Sequence, residues 1–294
     1  LMGGIPALVG TFIWTIAAGN VLQGGNFSEE YSLLFSFIAL FGFWKSLEHP
    51  QRNFYILLVG ISLGLNILLR PNNISMQAGA AGAYLILALF SKEWRIFFKR
   101  VLWYAIGVLV VIVPVILYFF IQGALTEMIN VVLVFNFQYS DGINPASILD
   151  GLMSASSAIG IVYVAIAILG YGFLLWALFK NRLNNLLDKF LLILLIGWPI
   201  EAVLSALSGR NYLHYFIGWA PYVGLLCGYA VYLLLRQFAP NSDRYSVFVL
   251  LALIGVTLVS NMTVWKNYGT VLAQIGSAEL DYRDPVASYI VENT

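Results

Sequence analysis

The chain has 294 residues, of which 61% are apolar and only 10% carry a charged side chain, and its mean hydropathy is +0.85. Soluble domains carry about 25% charged residues, so this composition excludes an ordinary soluble domain and indicates an integral membrane protein. A net charge of +1 gives no basis for a nucleic-acid or other polyanionic partner, and one cysteine, Cys227, can build neither a disulfide framework nor a thiolate metal site.

A membrane-spanning helix needs about 20 predominantly apolar residues. Nine stretches meet that rule, near residues 2–22, 30–47, 54–70, 73–90, 101–122, 153–179, 190–207, 217–235 and 246–265. They are continuously apolar rather than alternating, which predicts helices and not barrel strands. The expected fold class is therefore all-α, a polytopic bundle of about nine spans over 1–265, with an extracytoplasmic segment beginning at 266–294. No signal-peptide pattern opens the chain, and the start at Leu1-Met2-Gly3 and the end at Glu292-Asn293-Thr294 read as those of a fragment.

Orientation follows from the basic residues, which collect in cytoplasmic loops. Lys45 and Arg52 follow the second span, Lys92, Arg95, Lys99 and Arg100 the fourth, Lys180, Arg182 and Lys189 the sixth, and Arg236 and Arg244 the eighth. All four loops fall on one side, which leaves Arg70, Arg210, Lys266 and Arg283 on the other. Two small-residue features, the Gly60/Gly64 pair and the run from Ala78 to Ala83, predict close helix packing.

On the outer side, polar residues need a reason beyond insertion. Arg70 ends the third span, and Pro71 after it disfavours helix there. An arginine on the side opposite the basic loops suits a bidentate phosphate contact, with the snorkelling anchor as the alternative. Asn72 and Asn73 follow as turn residues. The stretch Ser208-Gly209-Arg210-Asn211-Tyr212-Leu213-His214-Tyr215-Phe216 is denser. An aromatic belt explains Tyr212 and Tyr215 but not Arg210 and His214, which share a helix face or crowd one short loop. Glu201, within the preceding span, is expected to pair with one of the arginines. Glu29 and Glu30 open the second span after Ser28, where the helix dipole and a Ser28 cap favour them. In the long connection 123–152, Leu125, Met128, Ile129, Val132 and Phe135 recur at helical spacing, predicting an external helix lying in the interface. The following Phe135 to Gly142 reads as an aromatic, amide-rich cavity floor. No metal cluster, nucleophile triad, phosphate loop or dinucleotide fingerprint is visible.

Taken together, Gly24-Gly25-Asn26-Phe27-Ser28-Glu29-Glu30-Tyr31, the Gly60 to Leu69 helix running into Arg70-Pro71-Asn72, and Ser208 to Phe216 followed by Pro221 resemble the bacterial GT-C type membrane glycosyltransferases. That family is related to the dolichyl-phosphate-mannose-protein mannosyltransferases and the aminoarabinose transferases. The ending Pro285 to Thr294 is similar to the start of their C-terminal extracytoplasmic part. The resemblance implies sugar transfer from a polyprenyl-phosphate carrier to a glycan, lipid or protein acceptor outside the cell membrane. It places the catalytic base in a first external loop that would precede Leu1. It assigns Arg70 and Arg210, with Asn72 and Glu201, to the carrier phosphate and substrate, His214 and Tyr212 to their neighbourhood, and Glu29 and Glu30 to the cavity entrance. No resident cofactor is required, although a divalent metal is compatible. The alternatives from other classes are a lipid-linked-sugar translocase or secondary transporter, which would show repeat symmetry and midplane polar groups, and a purely structural membrane subunit.

Overall fold

A computed structural model describes residues 1–22, 27–134, 145–180, 183, 185–207 and 209–238, and nine positions between 251 and 273. The chain forms two compact units, Leu1–Val247 and Phe248–Thr294. In the first, every regular element among the described residues is helical: α1 (Gly4–Val21), α2 (Ser28–Glu48), α3 (Asn53–Leu69), α4 (Ser75–Ser91), α5 (Trp94–Ile121), α6 (Leu125–Ile129), α7 (Pro145–Ile159), α8 (Ile161–Phe179), α9 (Leu186–Ala206) and α10 (Trp219–Phe238). A π-helical turn (Asn130–Val134) extends α6, and a 3-10 turn (Leu213–Phe216) precedes α10. In the second unit the nine described positions, from Leu251 to Ala273, are all helical.

Five helices, α1, α5, α8, α9 and α10, are long and apolar enough to cross a membrane. α3 and α4 are apolar but have 17 residues each, at the lower end of the usual spanning range. α2 has 21 residues but is not among the five. The ninth expected span, 246–265, lies largely outside the described residues. The expected sixth span is not one helix: the chain breaks at Gly160, whose φ of 112° is open to glycine and strained for other residues, and α7 and α8 leave it separately. The expected interfacial helix is short, α6 plus the π-helical turn, and Phe135 to Gly142 lie outside the described residues.

The outer surface of the bundle identifies its solvent. Only Gly107 is buried along the whole 28-residue length of α5, while Leu102, Leu109, Val110, Leu117 and Phe120 are exposed. An apolar face of that extent is stable against hydrocarbon and not against water.

Against lipid tails there is little hydrophobic gain in joining two apolar helices, so close backbone approach and interhelical hydrogen bonds must hold them. The two small-residue features identified in the sequence supply such contacts. Gly60 of α3 sits against Gly107 of α5, so that a Cβ built on Gly60 would lie 3.0 Å from the Gly107 Cα and overlap the Tyr104 carbonyl. Gly79 of α4 meets Gly197 of α9, where an added Cβ would lie 3.0 Å from the opposing Cα. Between α8 and α9, the Tyr171 hydroxyl donates to the Leu195 carbonyl at 2.8 Å.

The helix order brings the basic loops together. Pro50, Ser91, Glu93, Leu183 and Lys189 line one cavity, and Arg236 lies near enough to Asp188 to act on it electrostatically. Arg70 and His214 are at the opposite end. Replacing Gly60 by Val is expected to destabilise the bundle by about 1–3 kcal/mol through overpacking, read as a lower unfolding temperature in detergent. Gly172→Ala, where nothing lies within 4 Å of the added carbon, is expected to leave that temperature unchanged or slightly raised.

Candidate functional site at the Arg70 end

Arg70 owes its position to Pro71. α3 ends at Leu69, and Arg70 is extended (φ −159°, ψ 103°) rather than helical, as a residue before proline tends to be. Its amide still donates to Asn66 O at 2.7 Å, and Asn73 N donates to Arg70 O at 3.0 Å, closing a turn. Two side chains fix that turn to its neighbours. Asn66 Nδ2 donates to Asn73 O at 2.7 Å, and Asn73 Nδ2 donates to Ser32 Oγ on α2. Asn72 sits half-buried in the same turn.

The turn sets the guanidinium against the start of α2. Arg70 Nη1 lies 2.5 Å from Glu29 Oε1, and the Glu29 side chain is only 2% exposed. The same Nη1 donates to Ser28 Oγ at 3.3 Å, and Ser28 Oγ donates to Glu29 Oε2 at 3.0 Å. The expected Ser28 cap is therefore not made: Ser28 is the first helical residue, Phe27 occupies the cap position without a side-chain bond, and the serine hydroxyl serves the ion pair instead. Glu29, expected at a cavity entrance, is instead the buried anion that holds Arg70. Glu30, next along α2, is partly buried.

The 209–216 connection forms the other wall. Residues 209–212 are not helical, so Arg210 and His214 crowd one short loop rather than share a helix face. Phe27 stacks on the His214 ring at 4.1 Å with an interplanar angle of 2°, and Tyr212 stacks at 5.7 Å. Tyr215 meets His214 edge-on at 4.7 Å and lies 4.6 Å from the Arg70 guanidinium carbon, a cation–π distance. His214 Nε2 is 3.6 Å from Glu29 Oε1, beyond a hydrogen bond, so that contact is electrostatic when the imidazole is protonated. Arg210 is half-buried four residues before His214.

Among the described residues no arginine comes within 4 Å of the Glu201 carboxylate, although Arg70 attracts it from further away. Its Oε2 accepts from Ser75 Oγ at 2.6 Å, and Ser75 Oγ accepts from the Tyr222 hydroxyl at 2.9 Å. Glu201 is 4% exposed, and its carboxylate occupies the space that a Cβ on Gly218 would fill. Ser75 opens α4 where the Asn73 turn ends, so its hydroxyl reaches α9 before either arginine does. Beside the carboxylate, Ser32, Ser36, Asn73 and Tyr222 enclose a cavity of about 10 Å³, close to the smallest that holds one water. Asn73 thus touches both polar clusters.

Sequence reasoning missed Ser32, Ser75, Tyr222 and Phe27 as site residues. A serine or tyrosine in an apolar segment is too common a packing residue to stand out. Among the described residues no three His, Cys, Asp or Glu side chains form a metal-holding group. Comparison with protein-family models, with curated proteins and with solved structures returned no match.

A buried carboxylate facing one guanidinium is strongly coupled to it. In a double-mutant cycle, Glu29→Ala and Arg70→Ala should each lower thermal stability in detergent, and the double variant should lose less than the sum by about 0.5–3 kcal/mol. Tyr222→Phe, which removes one neutral donor from the Ser75 network, should cost about 1 kcal/mol in the same assay.

Proposed function

We propose that the protein is a GT-C type membrane glycosyltransferase, moving a sugar from a polyprenyl-phosphate carrier to an acceptor on the extracytoplasmic side of the cell membrane. The observation that carries this reading is Arg70. It is a cation at the end of an apolar bundle opposite the basic loops, fixed by the buried Glu29, with 23% of its side chain still exposed.

The chemistry makes use of such a group. The acceptor hydroxyl attacks the anomeric carbon while the bond from that carbon to the carrier phosphate oxygen breaks. The acceptor proton goes to a carboxylate base, as the resemblance implies. The departing lipid phosphate changes from a diester to a monoester and so gains one negative charge. A preorganised cation beside that oxygen stabilises the transition state more than the ground state. Arg70 has further N–H donors beyond the one directed at Glu29, and Glu29 and Tyr215 hold the guanidinium in place before the phosphate arrives. His214 borders the same space from the connection before α10, and Arg210, a second cation, lies on that connection. An apolar groove able to take the lipid tail lies between α1, α2, α9 and α10: it has a volume of about 500 Å³, is lined by Trp14, Phe37, Trp44, Phe190, Pro221 and Gly228, and runs from Pro221 towards the basic end of the bundle.

The transporter alternative asks for polar groups reachable from both sides near the midplane. Here, among the described residues, the buried polar groups Glu29, Ser32, Asn66, Ser75, Gln77, Glu201 and Ser205 lie within about two helical turns of the Arg70 end, with Ser62 slightly deeper and Ser46 at the opposite end, and this clustering on one side favours the transferase.

The test is transfer of a radiolabelled sugar from polyprenyl-phosphate donors in membranes that contain the full-length protein. Arg70→Ala at equal expression should lower the rate by about 10²–10³-fold, the usual effect of removing one oxyanion-stabilising donor, and Arg210→Ala should also lower it. Full-rate transfer by Arg70→Ala would remove the phosphate role. Movement of the lipid-linked sugar across vesicles, with no transfer from any donor, would replace the transferase by a translocase.

A further inference from the structure

The basic end of the bundle carries a second arrangement that the transfer chemistry does not use. α5 is 28 residues long, about 42 Å at 1.5 Å per residue, whereas the hydrocarbon core is about 30 Å thick. Its first turns, with Arg95, Lys99 and Arg100, therefore project into the interfacial region. Arg95 and Lys99 are exposed, but Arg100 is half-buried and turned towards the bundle. Its guanidinium carbon lies 5.0 Å from the ring centre of Tyr84 on α4, and the Tyr84 hydroxyl is itself hydrogen-bonded to Ser46 Oγ of α2 at 2.6 Å.

Arg100 stands where two cavities meet. One, of about 370 Å³, opens at the basic end and is lined by Pro50, Ser91, Glu93, Phe97, Arg100 and Lys189. The other, of about 310 Å³, runs between α4 and α5 and is lined by Gly82, Leu85, Phe97, Arg100, Val101 and Tyr104. The first is polar and holds two cations and one carboxylate. The second is almost wholly apolar. Among the described residues no carboxylate comes within 4 Å of Arg100 or Lys189. Glu93, on the rim of the polar cavity, attracts Arg100 without reaching that distance. The stretch from Lys92 to Arg100 adds three further positive charges, Lys92, Arg95 and Lys99, against that one negative charge.

We propose that this pair of cavities binds one anionic phospholipid of the surrounding leaflet, its phosphate between Arg100 and Lys189 and an acyl chain between α4 and α5. Basic pockets between transmembrane helices on the cytoplasmic side recognise anionic headgroups, and a guanidinium clamped on an aromatic face presents its remaining donors to a phosphate in fixed geometry. The apolar cavity is what separates this ligand from a free anion, because a soluble phosphate has nothing to place there. The site depends on the bundle lying in a membrane and is independent of any transferase activity.

The test is native mass spectrometry of the purified full-length protein, titrated in detergent with phosphatidylglycerol or with phosphatidylcholine. Phosphatidylglycerol should be retained and phosphatidylcholine released. Arg100→Gln and Lys189→Gln should each lower phosphatidylglycerol retention by about five-fold, the value of about 1 kcal/mol per cation near the surface, and the double variant by more. Leu85→Trp, which fills the apolar cavity without changing charge, should also lower retention, and it keeps the proposal testable if the charge variants elute as aggregates. The variant with Lys92→Gln and Arg95→Gln, outside both cavities, should retain phosphatidylglycerol at the parent level. The proposal is overturned if that variant loses as much lipid as Arg100→Gln, since binding is then diffuse surface charge. It is equally overturned if millimolar inorganic phosphate displaces the lipid while Leu85→Trp has no effect, which would indicate a free-anion site.

Discussion

The Glu29–Arg70 ion pair is the contact on which the polar end of the bundle depends. The Glu29 side chain is 2% exposed, and removing the partner of a buried charge costs severalfold more than breaking an exposed pair. Arg70 supplies that partner from 41 residues further along the chain, and in doing so it ties the first turn of α2 to the end of α3. The rest of the site is arranged around this requirement. Pro71 releases Arg70 from the helix, Asn66 and Asn73 hold the turn that aims it, Ser28 bridges both ions, and Phe27 and Tyr215 pack against His214 and the guanidinium.

Arg70 is neutralised by a neighbour that also orients it. The guanidinium is held with N–H donors to spare, and the carboxylate beneath limits how much net charge that end of the bundle carries. Glu201 does a different task. Hydrogen-bonded through Ser75 to Tyr222, it joins α9, α4 and α10 just below the site. It lies outside salt-bridge distance of Arg70, although the two charges still attract, and it shares a small cavity with Asn73.

The two ends of the bundle differ in charge and in how they meet the membrane. At the Arg70 end one cation is locked inside a polar cluster. At the other end the cations are numerous, mostly exposed, and face the lipid headgroups, with Arg100 set apart because an aromatic ring and two cavities surround it. Between the ends, glycine contacts hold helices that the hydrophobic effect does not draw together in lipid.

Several features followed from the sequence alone because their causes are local. Continuous apolar runs make helices whatever surrounds them, a proline ends the helix before it, and the sorting of lysine and arginine groups the loops by side. Small residues at four-residue spacing also predicted the α3–α5 seam correctly. The break at Gly160, the bond of Glu201 to Ser75 across 126 positions, the choice of Glu29 as the partner of Arg70, and the placing of Arg100 between two cavities were decided only in three dimensions. Each depends on which helices become neighbours and at what depth. A polar side chain in a membrane takes whichever partner the packing brings within reach, and no spacing along the chain encodes that distance.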